Sequence, residues 1–292
     1  MTTAEFFQSI AALSGLLFVV TSMLAMGLSL TVPQIMEPLR NARLVLLALL
    51  ANFVLVPLLA YGITLVVPLD QSLKVGLIIL ATAAGAPFLP KLVQGAKGNV
   101  AFGVGLMVLL MVATIVYMPL VLPLLLQGVT INPWDIAQSL IVLMLIPLAI
   151  GLLVRSHSAE SAAHYQVVMN KISSLAMLIL LVTAVGLNAA NIIGLLGTGG
   201  ILALLLFILG SLLIGYFLGG RDTGIRSVMG LGTAQRNISA AIVVAAQNFP
   251  GSDTLIFVLV AAILLLLVLL PVAKRMGARA GTSGAADSAA AS

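Results

Sequence analysis

The chain has 292 residues, of which 62% are hydrophobic and only 7% are charged, and its mean hydropathy is +1.26. A soluble domain carries about 25% charged residues, so a water-soluble globule is excluded and the natural unit of length is a bilayer span of about 20 apolar residues. The net charge of +5 comes from 13 basic residues set largely in short loops between apolar runs, which orients a membrane protein and does not build a nucleic-acid surface. With no cysteine, disulfides and thiolate metal sites are excluded as well.

Nine apolar segments follow one another, over residues 9–31, 44–67, 75–95, 100–126, 136–154, 172–193, 201–218, 227–246 and 255–273. Most are apolar on every face, as helices in lipid are. The expectation is therefore an all-α membrane protein with nine transmembrane helices, embedded in a lipid bilayer. Residues 277–292 carry small and polar side chains and read as a disordered tail.

Charge then orients the chain. Loops on one side hold Arg40, Arg43, Lys97, Arg155, Lys171, Arg221, Arg226, Lys274, Arg275 and Arg279, while the side bearing the N-terminus holds Lys74 alone. Positive loops stay in the cytoplasm. The expected placement is a multi-pass protein of an inner or plasma membrane, N-terminus outside and C-terminus cytoplasmic. His157 and His164 fall in a cytoplasmic loop, with no third ligand for a metal nearby.

Two basic residues lie inside apolar segments, Lys91 and Arg236. All eight acids (Glu5, Glu37, Asp70, Asp135, Glu160, Asp222, Asp253 and Asp287) lie in loops or tails. The membrane interior thus carries fixed positive charge and no carboxylate. An arginine at the centre of a span costs roughly 2.5–3.5 kcal/mol on insertion scales, so Arg236 is expected to be paired or functional. Lys91 lies about a turn from the cytoplasmic end of its segment, from which a lysine also reaches the surface by snorkelling.

Arg236 belongs to one of two interrupted stretches. The first runs from Ala81 through Thr82, Gly85, Pro87 and Pro90 to Lys91; the second runs Gly232-Thr233-Ala234-Gln235-Arg236-Asn237-Ile238-Ser239. Proline removes helix hydrogen bonds, and three polar side chains in a row sit at the expected midplane of the second. The two segments cross the membrane in opposite directions. Interrupted segments in inverted halves point to the binding site of a secondary transporter. The free N–H ends of broken helices attract anions, and the free C=O ends attract cations. Pro57, Pro119, Pro123 and Pro147 read as ordinary kinks.

The order of these features resembles the bile acid:sodium symporter family. Its markers here are Met26-Gly27-Leu28-Ser29-Leu30, Ala51-Asn52-Phe53-Val54-Leu55-Val56-Pro57, the break from Gly85 to Lys91, Gly98-Asn99-Val100-Ala101, and Gln235-Arg236-Asn237 leading to Asn248-Phe249. The resemblance implies an inverted repeat in which two broken helices cross, in the nine-helix form that lacks the first family helix. Residues 1–127 would be one repeat half and residues 128–276 the other. The first, fifth and sixth spans would form a panel and the rest a core.

By the same likeness, family sodium ligands fall on Leu89, Pro90, Gly103, Met107 and Gly232, a glutamine ligand becomes Arg236, and one amide survives as Asn52. Most side-chain oxygens for sodium are therefore replaced, which argues against sodium as a bound cofactor here. The expected function is a secondary transporter, not an enzyme, moving a small organic anion by alternating access. Arg236 and Lys91 would stand in place of bound cations, and Asn237, Gln235, Thr233, Thr82, Asn52 and the backbone freed near Pro87 would supply hydrogen bonds. A conventional sodium:organic anion symporter and a non-transporting scaffold or sensor stay open as alternatives.

Overall fold

The computed structural model describes residues 3–36, 40–126, 132–194, 197–250 and 252–290. Glu37, the boundary between residues 127 and 128, and the side chains of Glu5 and Asp287 lie outside the described residues. Among the described residues the chain is all helical, in the order α1 (Thr3–Ser29), α2 (Val32–Met36), α3 (Ala42–Leu50), α4 (Val56–Val66), α5 (Gln71–Thr82), α6 (Leu89–Gly95), α7 (Val100–Leu125), α8 (Pro133–Leu140), α9 (Ile146–His157), α10 (Ala159–Gly194), α11 (Gly200–Leu218), α12 (Thr223–Ala234), α13 (Ile238–Asn248) and α14 (Thr254–Ala290).

Among the described residues seven stretches are long and apolar enough to cross a bilayer: Ser9–Ser29, Ala42–Val66, Val100–Leu125, Pro133–His157, Ala159–Thr183, Gly200–Leu218 and Thr254–Ala280. The other two apolar segments of the sequence are each a pair of short helices. In the first pair α5 stops at Thr82 and α6 starts at Leu89; in the second α12 stops at Ala234 and α13 starts at Ile238. Pro90 falls in the first turn of α6, where its missing N–H has no helical partner to lose.

The sixth segment differs from expectation. Its helix begins at Ala159, well before residue 172, so Glu160, His164 and Lys171 ride on α10 and not on a loop. No glycine or proline interrupts the chain from Ala159 to Val185, and alanine-rich polar sequence is good helix material. His157 likewise closes α9.

Two of the long stretches contain a single π-turn, Ala51–Leu55 between α3 and α4, and Ile141–Leu145 between α8 and α9. Each precedes a proline at the start of the next helix, Pro57 or Pro147. Pro57 has no N–H for the carbonyl of Phe53 four residues back. Tyr117 of α7 supplies the missing donor, its hydroxyl giving a hydrogen bond to the Phe53 carbonyl at 2.6 Å, and its ring packs on Phe53 with centroids 4.7 Å apart. The extra residue of the π-turn turns Asn52 fully into the protein.

The interrupted pairs lie deepest. α5 packs on α4, α7, α13 and α14, and α12 packs on α6, α7, α11 and α14. α1, α9 and α10 pack against one another, with α1 also touching α13 and α10 touching α14. α1 and α9 touch through Gly27 and Gly151, where a Cβ on Gly27 would stand 2.2 Å from the Leu148 carbonyl.

Tyr117→Phe is expected to leave the Phe53 carbonyl unsatisfied and to lower stability by about 1–3 kcal/mol. Thermal unfolding of detergent-solubilised protein reads this. An unchanged melting temperature would mean that the carbonyl finds another donor.

Candidate functional site

The two interruptions meet. The backbone N–H of Asn237 donates to the carbonyl of Ala83 at 2.9 Å, tying one break to the other across the whole sequence. The first break runs as non-helical chain from Ala83, and Thr114 of α7 satisfies it, accepting from the Ala84 N–H at 3.0 Å and donating to the Ala84 carbonyl at 3.1 Å. Gly85 passes through this turn at φ +79°, and a Cβ there would stand 2.1 Å from the Met111 nitrogen. Only glycine fits both demands. At the second break, Asn237 caps α13 by accepting the Ala240 N–H at 3.1 Å, the role its residue type favours.

Arg236 closes the junction. Its side chain is wholly buried. One terminal nitrogen donates to the Ala81 carbonyl at 3.3 Å, and the other donates to the Thr233 carbonyl and to Oδ1 of Asn52. Ala81 and Thr233 lie in the last turns of α5 and α12, where carbonyls have no helical partner. The guanidinium thus rests on the negative ends of both half-helices. Its partners are all neutral. Hydrogen bonds from a charged donor contribute about 1.5–3 kcal/mol each, so three of them offset an insertion cost of roughly 2.5–3.5 kcal/mol. Asn52 is itself fixed, donating to the Ala48 carbonyl at 3.0 Å and to the Thr233 hydroxyl at 3.4 Å.

Beside the junction lies a cavity of about 920 Å³. Pro87, Lys91, Gln235 and Arg236 border it, together with faces of α1 and α10. Arg236 presents no surface to it, whereas Lys91 is exposed, its ammonium 5.7 Å from the centre of the Phe88 ring. Lys91 therefore does not join Arg236 on the half-helix carbonyls. Thr82, Thr233, Asn52 and Asn237 sit behind the cavity wall. The Thr82 hydroxyl turns back onto its own helix, donating to the Ile78 and Ile79 carbonyls at 3.0 Å each. Three buried atoms at the junction have no partner: Oε1 of Gln235, Nε of Arg236 and Nδ2 of Asn237.

A family model described as Sodium Bile acid symporter family matches residues 16–195. The chain belongs to the sodium bile acid symporter family. Members of this family are transporters and not enzymes. A stretch of 136 residues, 46% of this chain, is 30% identical to the "Probable sodium/metabolite cotransporter BASS2, chloroplastic" of Oryza sativa subsp. japonica. The match spans 32% of that protein's length.

Of the positions on which the resemblance places family sodium ligands, Gly232, Gly103, Leu89 and Met107 are set among apolar side chains, while Pro90 and Met107 also border the cavity. A Cβ on Gly232 would meet Leu89 Cδ2 at 3.1 Å and Leu106 Cδ2 at 3.3 Å, and one on Gly103 would meet Val93 at 3.2 Å. Leu89, Leu106 and Met107 are each 1% exposed. Among the described residues no cluster of three His, Asp or Glu side chains is placed to hold a metal ion.

The cavity also brings in residues that the reading of the sequence passed over. Phe18, Ser22, Ala25, Met26 and Ser29 line it from α1, and Gln166, Asn170, Ser173, Ser174 and Met177 line it from α10. Both sets recur every three or four residues, the repeat of one helix face. That polar stripe on α10 was available as a signal once residues 159–171 are taken as helix.

Asn52→Leu should remove the side-chain acceptor that Arg236 has among the described residues and cost about 1.5–3 kcal/mol, while Thr82→Val, whose hydroxyl serves carbonyls already bonded in the helix, should cost under about 0.5 kcal/mol. Paired melting curves distinguish the two. Equal losses would contradict the placement of Asn52 as the anchor of the junction.

Proposed function

We propose that the chain is a secondary carrier that moves a small organic anion by alternating access, with Arg236 holding the junction of its broken helices in place of a bound cation. The observation that carries this reading is the guanidinium resting on the carbonyl ends of both α5 and α12. A sodium ion that binds and leaves with each cycle transmits the energy of its gradient through the difference between its bound and free states. A cation tethered to the backbone never leaves, so it stabilises the junction without drawing on any gradient.

The architecture supports the carrier. Counting α5–α6 and α12–α13 as one interrupted span each, beside the seven long stretches among the described residues, supports the reading of nine spans in two inverted halves, residues 1–127 and 128–276. The mutual packing of α1, α9 and α10 supports a panel, and the junction with its enclosing helices a core. The skew of basic loops supports an N-terminus outside and a cytoplasmic C-terminus. On that orientation the cavity reaches from the junction to the cytoplasmic ends of α1 and α7, at Ser29 and Val100. The α13 N-terminus borders it through Ile238 and Ser239, and the dipole there favours an anion.

A second reading keeps sodium. Oε1 of Gln235 is buried without a partner, an oxygen open to a cation, and the rice relative bears the name of a sodium/metabolite cotransporter. Uptake of labelled pyruvate and cholate into proteoliposomes separates the two. Rates within about twofold of each other, with an inward sodium gradient or with N-methylglucamine in its place, are expected. A tenfold stimulation by sodium would establish the second reading instead. Gly232→Glu with Leu89→Ser and Arg236→Gln restores the oxygens and removes the tethered charge. This triple variant is expected to gain a sodium-dependent rise in melting temperature that the wild type lacks.

A further inference from the structure

We infer that Lys91 seats the carboxylate of the transported molecule and that the carrier selects monocarboxylates over dicarboxylates and zwitterions. This rests on the organic-anion reading above. Only two charged residues border the cavity among the described residues, Arg236 and Lys91, and neither is acidic. Arg236 is wholly buried and presents no surface to it; its terminal nitrogens donate to two carbonyls and an amide, and its unpartnered Nε is buried with them. Lys91 is exposed on the first turn of α6 and steadied over the Phe88 ring, with no carboxylate partner among the described residues. An ammonium on a flexible stem is a point charge that pairs with one carboxylate.

Selectivity follows from what the wall lacks. A carboxylate entering the cavity sheds water, and only a paired charge recovers that cost. One accessible cation serves one carboxylate. Among the described residues of the wall the second carboxylate of a diacid finds no second cationic side chain, and the ammonium of an amino acid meets no acid. Gln166 and Asn170, one helical turn apart on α10, border the same cavity and offer neutral hydrogen bonds to the rest of the molecule. The arrangement also separates two roles that the sequence suggests together. Arg236 positions the half-helices, and Lys91 meets the cargo.

The test is equilibrium binding to the full-length, detergent-purified chain, with labelled pyruvate and cholate as monocarboxylates, succinate as a diacid, alanine as a zwitterion, and methyl pyruvate and methyl cholate as uncharged controls. Wild type is compared with Lys91→Gln and Lys91→Arg. Expected are binding of at least one monocarboxylate, a loss of at least tenfold in Lys91→Gln, recovery to within about threefold in Lys91→Arg, and succinate and alanine at least tenfold weaker than the monocarboxylate. The esters read the same contact on wild type without any substitution, and they too should bind at least tenfold more weakly. Unchanged monocarboxylate binding in Lys91→Gln, or an ester that binds as tightly as its acid, overturns the role of Lys91 and leaves the organic-anion reading standing. Succinate binding as tightly as the monocarboxylate overturns the selectivity. A wild type that binds none of the acids overturns both readings.

Discussion

A positive charge shared between two helix ends is the constraint on which the rest of this structure depends. Breaking a helix inside a bilayer strands carbonyls where no water can reach them. Each C-terminal end behaves as roughly −0.5 of an elementary charge, so the ends of α5 and α12, brought together, amount to about −1. The guanidinium of Arg236 is +1 and reaches both. Neither partner is tolerable alone: the arginine is expensive in lipid, and the paired carbonyl ends are expensive without a cation. Together they make a junction that is close to neutral without a carboxylate.

Holding that junction sets requirements well away from Arg236. Asn52 must reach in from the second span, and it does so because a π-turn precedes Pro57 and rotates the amide inward. Pro57 in turn leaves the Phe53 carbonyl without its N–H donor, and Tyr117 of α7 answers it. The same helix carries Thr114, whose hydroxyl satisfies both backbone groups of Ala84, and Met111, against which only a glycine at position 85 fits. α7 thereby serves as the strut for the second span and for the first break alike. A substitution on its inner face acts on the junction without touching Arg236.

Much of this was legible in the sequence, for definable reasons. Span positions follow from hydropathy averaged over many residues, which tolerates local error. The two breaks announced themselves through Pro87, Pro90 and the Gln235-Arg236-Asn237 run, because these residues cannot sit quietly in a lipid-facing helix. Side-chain direction was not legible. Thr82 and Thr233 were read as facing a ligand, yet Thr82 bonds its own helix and Thr233 faces Asn52. Such choices depend on the phase of each helix against its neighbours, and a single sequence does not encode that phase locally. The start of α10 was missed for a different reason: residues 159–171 are too polar to register as a span, and helix propensity, not hydropathy, decides their structure.

The contrast between Arg236 and Lys91 shows why burial has to be known before a charge is assigned a task. Both are cations in apolar sequence, and both border the same cavity. A buried guanidinium whose terminal nitrogens hold two carbonyls and an amide keeps only its unpartnered Nε in reserve, and drawing the terminal nitrogens onto an incoming anion would strip the carbonyls and reopen the desolvation cost they offset. An exposed ammonium has the opposite balance, because it exchanges water for carboxylate and disturbs nothing behind it. A carrier must bind its cargo and then release it, so the group that meets the cargo has to be the one whose loss of a partner is cheap. On the proposed reading the exposed charge of Lys91 is the one free to exchange partners, and the buried charge of Arg236 stays where the two breaks meet, where nothing needs to leave.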